Sequence, residues 1–293
     1  MQPVIQAREL AALLGGHDAP VLLDVTVVLA PARFDGDYRP ESGASLWRDA
    51  HLPGSRHVDL LTTLSDTASA LHFTRPAPDR LAADLGALGI GPGSSVVVYD
   101  QGGATWAARV WWLLRGVGID ARILDGGLVR WMSLGLPVET GEPSSRVPVD
   151  VPVSALTDRG LWVDRVEVTD IVAGRAPGTL VCALAPTQFT GADATRYSRR
   201  GHIPGSRNLS AKTVVDDRGL LRSRDELVAL AASALGDADE PLVVYCGGGI
   251  SACLTALGFV VAGHDAVQVY DGSIEEWSAD PSLPMVTTAG GDA

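Results

Sequence analysis

Cysteine is scarce, with three in 293 residues, at positions 182, 246 and 253. No two stand in Cys-x-x-Cys spacing, so neither a zinc site nor a disulfide framework is expected, and a reducing compartment suits the chain. Positive charge is also short: 23 Lys and Arg against 35 Asp and Glu leave a net charge of -12. That argues against nucleic acid or an anionic membrane as the main partner. No apolar run nears the roughly 20 residues that cross a bilayer, and the opening MQPVIQARELAALLGG has no basic segment leading into an apolar one. A cytoplasmic location is expected. Apolar residues are plentiful, 46% of a chain long enough for two cores.

One pattern occurs twice. AHLPGSRHVDL at 50–60 is answered by GHIPGSRNLSA at 201–211, offset by 151, and VVVYDQGGATWAARVWWLLRGVGIDARILDGGLVRW at 96–131 is answered without a gap by LVVYCGGGISACLTALGFVVAGHDAVQVYDGSIEEW at 242–277, offset by 146. Two copies of one unit of about 130 residues follow. The division is 1–138 for the first domain, 139–156 for a Pro-, Ser- and Val-rich surface linker, 157–285 for the second domain, and 286–293 for a tail expected to fray. In the first copy VLLDV, SVVVYD and ARILDG read as strands, with DRLAADLGALG and ATWAARVWWLLRGVG as helices. In the second, TLVCAL, LVVYC and AVQVYDG are the strands, and SRDELVALAASALG is a helix opened by a Ser223 cap with Glu226 three residues on. Strands alternating with helices predict an α/β fold, each copy a parallel sheet covered on both faces.

Ligands of such sheets bind at the carboxyl ends of strands. There the second copy places LVVYCGGGISA, a buried strand ending in Cys246, then Gly247, Gly248 and Gly249, then Ile250 and Ser251 opening a helix. Backbone amides and a helix N-terminus converge on such a loop, which holds an anion and favours a thiolate. Cys246 is therefore the candidate nucleophile. The first copy has Asp100 in its place. Cys182 and Cys253 read as core residues, His51 and His202 as parts of matching turns, and Asp125 and Asp271 as caps or loop braces. Trp106, Trp111, Trp112, Trp131 and Trp277 read as packing residues. Ser251 either donates its hydroxyl to the sulfur or caps the helix. A cysteine-based phosphatase would need an arginine where Ala252 stands, and the three glycines lack dinucleotide-site spacing.

Two His-x-Pro-Gly-Ser turns, each followed by a strand-loop-helix and then an Asp-Gly-(Gly/Ser)-x-x-x-Trp turn, resemble the tandem rhodanese-domain sulfurtransferases over nearly the whole chain. The resemblance implies an inactive first domain and an active second one. It also implies a double displacement through a Cys246 persulfide, with cyanide or a thiol as acceptor and no metal or organic cofactor. The uncharged loop favours 3-mercaptopyruvate as donor, with thiosulfate as the alternative, although Gly248 replaces that type's serine. Gly247, Gly248, Gly249, Ile250 and Ser251 would bind substrate and persulfide. Leu184 and Gln188 stand where the family has arginines, which leaves Arg196 for a donor carboxylate. His72 matches a histidine of the family's interdomain loop, but the accompanying aspartate falls near Leu61 or Thr62 and is missing. The lost arginines keep open a reading from another class, a catalytically poor sulfur carrier or interaction module.

Overall fold

A computed structural model describes residues 2–16, 19–142, 148–238 and 240–288. Among the described residues the strands are β1 Val4–Ile5, β2 Val21–Asp24, β3 Val27–Leu29, β4 Pro40–Ser42, β5 Arg56–His57, β6 Ser95–Tyr99, β7 Asp120–Leu124, β8 Trp162–Val163, β9 Thr179–Cys182, β10 Arg207–Asn208, β11 Leu242–Tyr245 and β12 Val267–Tyr270. The first copy forms a parallel sheet in the order β1-β7-β6-β2-β5 and the second in the order β8-β12-β11-β9-β10. The orders are the same when equivalent strands are matched, so the repeat seen in the sequence is a repeat of topology. β3 and β4 make a separate antiparallel ribbon on the first copy.

The helices are α1 Ala7–Leu13, α2 Ala44–Asp49, α3 Pro78–Ala87, α4 Thr105–Gly116 and α5 Gly127–Ser133 in the first copy. The second has α6 Arg165–Val172, α7 Pro186–Phe189, α8 Arg224–Leu235, α9 Ser251–Ala262 and α10 Ser273–Ala279. Their starts follow local chemistry. Pro78 occupies the first turn of α3, where its missing N–H costs nothing, and Ser223 with Glu226 forms the expected reciprocal cap on α8.

The central strands are apolar throughout, Val96, Val97, Val98 and Val244 being fully buried, as a sheet covered on both faces requires. One continuous core joins the copies, because α4 and α9 are apolar nearly all round and pack on each other between the two sheets. The outer faces have cores of their own, centred on Trp131 and Trp277, whose indole N–H groups donate to Pro137 and Pro284 carbonyls. Trp111 and Trp112 are buried at the join. Trp106 is half-buried: it packs against the same core and on the Phe73 ring, and it also lines a cleft between the copies.

The segment after Met285 also differs from expectation. Val286 exchanges both backbone hydrogen bonds with His202, and Thr288 donates to the Thr190 carbonyl. Residues 286–288 therefore satisfy polar groups beside the His202 turn instead of fraying; the rest of the tail lies outside the described residues. Within the linker, Glu139 pairs with His51, and Val149 donates to the Gly86 carbonyl. The imidazoles of His51 and His202 each bond a backbone carbonyl, of Trp47 and Phe189, and stack on the same residues' rings.

Candidate active site

Cys246 follows the last residue of β11 and is buried, with its loop leading into α9. Two glycines of the loop are dictated by close approach. A β-carbon at Gly247 would overlap the Tyr197 hydroxyl, and Gly249 takes φ +71 with the Asp271 carbonyl 2.6 Å from where its β-carbon would stand. The loop's polar groups divide cleanly. The Ser273 hydroxyl accepts the amides of Cys246 at 3.1 Å and Gly249 at 3.0 Å and donates to the Tyr270 carbonyl. The carbonyls of Cys246 and Gly247 accept from Ile274 and Glu275. The amides of Gly247, Gly248, Ile250, Ser251 and Ala252 have no protein acceptor among the described residues. Ile250, not Ser251, is the residue flanking α9, and no side chain caps the helix, so the capping role open to Ser251 is not the one it takes. The five amides and the uncapped helix end form a site for an anion.

The first copy contains that anion as part of its own chain. Asp100 is buried, and its carboxylate accepts the amides of Ala104, Trp106 and Ala107 at 3.3, 3.0 and 3.2 Å. The gapless repeat equates those positions with Ile250, Ala252 and Cys253. Burial pushes the Asp100 carboxyl up to about 6, against the pull of the amides.

Around Cys246 the copies enclose a cleft of about 1050 Å³. Cys246, Gly247, Gly248, Ile250 and Ser251 line it, together with Tyr38, Tyr197, Leu184, Gln188 and Arg196. Arg196 donates through Nη2 to the Ala30 carbonyl at 2.7 Å, which ties it to the first copy, while its Nε has no protein acceptor among the described residues. Its neighbours have other work. Arg199 donates to four carbonyls between Trp277 and Leu283, and Arg200 pairs with Asp35. Lys212 is a second cation on the wall.

His72 comes to the loop from the first copy, but it is not among the residues that line the cleft. Nδ1 lies 2.5 Å from Glu275 Oε1, and the His72 amide donates to Oε2. That carboxylate stands 3.1 Å from the place of a Gly248 β-carbon, and burial pushes its ionisation up against the pull of His72. Tyr38 packs edge-on against His72, with its hydroxyl about 4.0 Å from the same β-carbon position. Burial raises the ionisation of both Tyr38 and Tyr197, and negative charge at Glu275 and Cys246 raises it further, so both stay hydrogen-bond donors. The other two cysteines are buried, their thiols pushed up to about 12 by burial, and Cys253 donates to the Gly249 carbonyl at 3.2 Å.

Asp271 and Asp125 are braces, but across the copies. Asp271 accepts the Arg75 amide at 2.8 Å, and Asp125 accepts the Leu221 amide at 2.8 Å. The buried Arg109 of α4 pairs with Asp271 at 2.6 Å. Tyr38, Tyr197, Glu275 and Arg109 had no motif to mark them, and Ser273 was marked only as the variable position of the Asp-Gly-(Gly/Ser) turn. For three of them the repeat held a signal in its mismatches, since Ser273, Glu275 and Arg109 face Gly127, Val129 and Thr255 in the other copy.

A model of the rhodanese-like domain matches residues 6–134 and 192–280. SseB of Mycobacterium tuberculosis, provisionally named a thiosulfate sulfurtransferase, is 35% identical over 287 residues, 97% of this chain and 96% of that protein. The 3-mercaptopyruvate sulfurtransferase of Escherichia coli is 32% identical over 247 residues, 83% of this chain and 85% of that one. The crystal structure of SseA, a 3-mercaptopyruvate sulfotransferase of Escherichia coli, superposes with a TM-score of 0.79 at 26% identity and covers 93% of this chain and 99% of that one.

Proposed function

Since the chain belongs to the rhodanese-like domain family and is a sulfurtransferase, we propose that Cys246 is its nucleophile and carries the sulfur as a persulfide from 3-mercaptopyruvate to a thiol or cyanide. The Cys246 thiolate attacks the donor's sulfur and the donor's carbon–sulfur bond breaks. The electron pair leaves on carbon as the enolate of pyruvate, which takes up a proton. An acceptor thiolate or cyanide then attacks the outer sulfur, and the sulfur–sulfur bond breaks to return the electron pair to Cys246.

The observation that carries this reading is Asp100. Where the first copy has no cysteine, its own carboxylate occupies the place and is held by the helix-start amides. The equivalent amides of Ile250 and Ala252 are free to stabilise the thiolate and the persulfide, as an oxyanion hole stabilises oxygen. Gly247, Gly248 and Ser251 complete the ring. Arg196 meets the donor's carboxylate, and the Tyr38 and Tyr197 hydroxyls donate toward its keto oxygen. His72 acts through Glu275, which it holds against the loop.

The donor preference is electrostatic. Arg196 and Lys212 are the cations of the described cleft wall, and the Glu275 carboxylate stands 3.1 Å from the place of a Gly248 β-carbon. That field suits a monoanionic keto acid better than the thiosulfate dianion. Initial rates with the two donors test this: kcat/KM is expected to be higher for 3-mercaptopyruvate, and an equal or higher value for thiosulfate would overturn the donor assignment. Arg196→Met should raise KM for 3-mercaptopyruvate about tenfold or more, the effect of losing a charge-assisted hydrogen bond.

A further inference from the structure

Arg109 is almost wholly enclosed, with 3% of its surface exposed, and it belongs to the copy that has no cysteine. A buried guanidinium is costly unless every donor is engaged. Here the partners come from several segments: the Phe73 carbonyl of its own copy, the Asp271 carboxylate at 2.6 Å, the Gly249 carbonyl at 3.3 Å, and the face of Trp162 at 4.7 Å. All but Phe73 lie in the second half of the chain. Gly249 thus has the N–H of the peptide before it fixed by Ser273 and the carbonyl of the peptide after it fixed by Arg109, with Cys253 as a second donor.

Fixing that carbonyl has a directional effect. In a planar trans peptide the C=O and the following N–H point opposite ways. Drawing Gly249 O toward Arg109 turns the Ile250 N–H to the other side of the loop. In the first copy the matching amide, of Ala104, is the one that bonds the Asp100 carboxylate.

The repeat supplies an internal comparison. The residue equivalent to Arg109 in the second copy is Thr255, whose hydroxyl donates to the Leu209 carbonyl of its own copy at 3.3 Å. The other brace, an aspartate receiving a backbone amide, is present in both directions. The arginine runs one way only, from the copy without the nucleophile to the copy with it.

We propose that Arg109 is a positioning residue of the sulfur-transfer reaction, setting the Gly249–Ile250 peptide so that the Ile250 N–H faces the Cys246 sulfur. The proposal rests on Cys246 being the nucleophile. Arg109→Lys keeps the charge but loses the fork that reaches Gly249 and Asp271 together. Its kcat with 3-mercaptopyruvate should fall by about 100-fold, the scale of a misplaced catalytic group, with KM within about twofold because Arg109 lines no part of the described cleft. Guanidinium ion at low concentration should restore part of the rate to Arg109→Ala and none to Arg109→Lys, where the ammonium fills the space. An unchanged kcat, or a rise in KM that accounts for the whole loss, would overturn the proposal.

If neither Arg109 variant folds, Asp271→Asn, which leaves the guanidinium in place without the charge that orients it, should show the same fall in kcat at constant KM. Its absence would equally overturn the proposal. Cys246→Ser in the otherwise unaltered protein keeps the two readings apart. Turnover that survives it removes the nucleophile assignment, whereas a dead Cys246→Ser beside an Arg109→Lys of full kcat removes only the positioning role.

Discussion

Ser273 shows how much one hydroxyl can fix. It sits at φ +50, an uncommon conformation for a residue with a β-carbon, and receives two buried amides of the cysteine loop while donating to a third backbone group. Ser273→Ala leaves both amides without a partner, which should lower stability by about 1–3 kcal/mol in urea unfolding and lower kcat as well. Asp100, which takes the place of Cys246 in the other copy, has an effect that depends on pH. Its carboxyl ionises near 3.8 when unperturbed and is pushed up to about 6 by burial. Between these values the folded chain holds a proton that the unfolded chain has lost, so this group's contribution makes stability fall as pH rises across the window and level off above it. The shift corresponds to about 3 kcal/mol, as an order of magnitude. Asp100→Asn removes that contribution, so the change in urea midpoint on going from about pH 4 to about pH 7 should be shifted toward higher stability relative to the unaltered protein. An identical change in the two proteins would contradict the assignment.

At the scale of single elements, the sequence was a sound guide wherever the controlling contacts are local. The Ser223 and Glu226 cap was readable because both partners lie within one turn, and both hydrogen bonds form. Ser223→Ala should therefore cost about 1 kcal/mol of unfolding free energy with no change in turnover, since α8 lies away from the cleft. Buried strands were likewise legible as short apolar runs, and β11 was found as the strand that leads into Cys246. The strands at the sheet margins, β1, β5, β8 and β10, are two residues each and leave no periodic signature. The ribbon of β3 and β4 spans residues whose pairing has no sequence period to announce it.

At the scale of the whole molecule, the two copies are interlocked as well as adjacent. The loop after each His-x-Pro-Gly turn sends a backbone amide to the aspartate of the other copy's Asp-Gly turn, and α4 packs on α9 through one shared core. This explains which parts of the site were hidden. Cys246 and its glycines were legible because strand, loop and helix are contiguous, and the exchange with Asp100 was visible in the repeat. Glu275 meets His72 across 203 residues and Arg109 meets Gly249 across 140, so no local spacing could pair them. The central claim is that the cradle exists to hold sulfur on Cys246. It is tested most directly by treating the protein with 3-mercaptopyruvate, without acceptor, and weighing the intact chain and its Cys246 peptide. A gain of about 32 Da that dithiothreitol removes is expected, one persulfide sulfur, present in Cys253→Ser and absent in Cys246→Ser. No gain on the unaltered chain, or a gain that survives Cys246→Ser, would contradict the account.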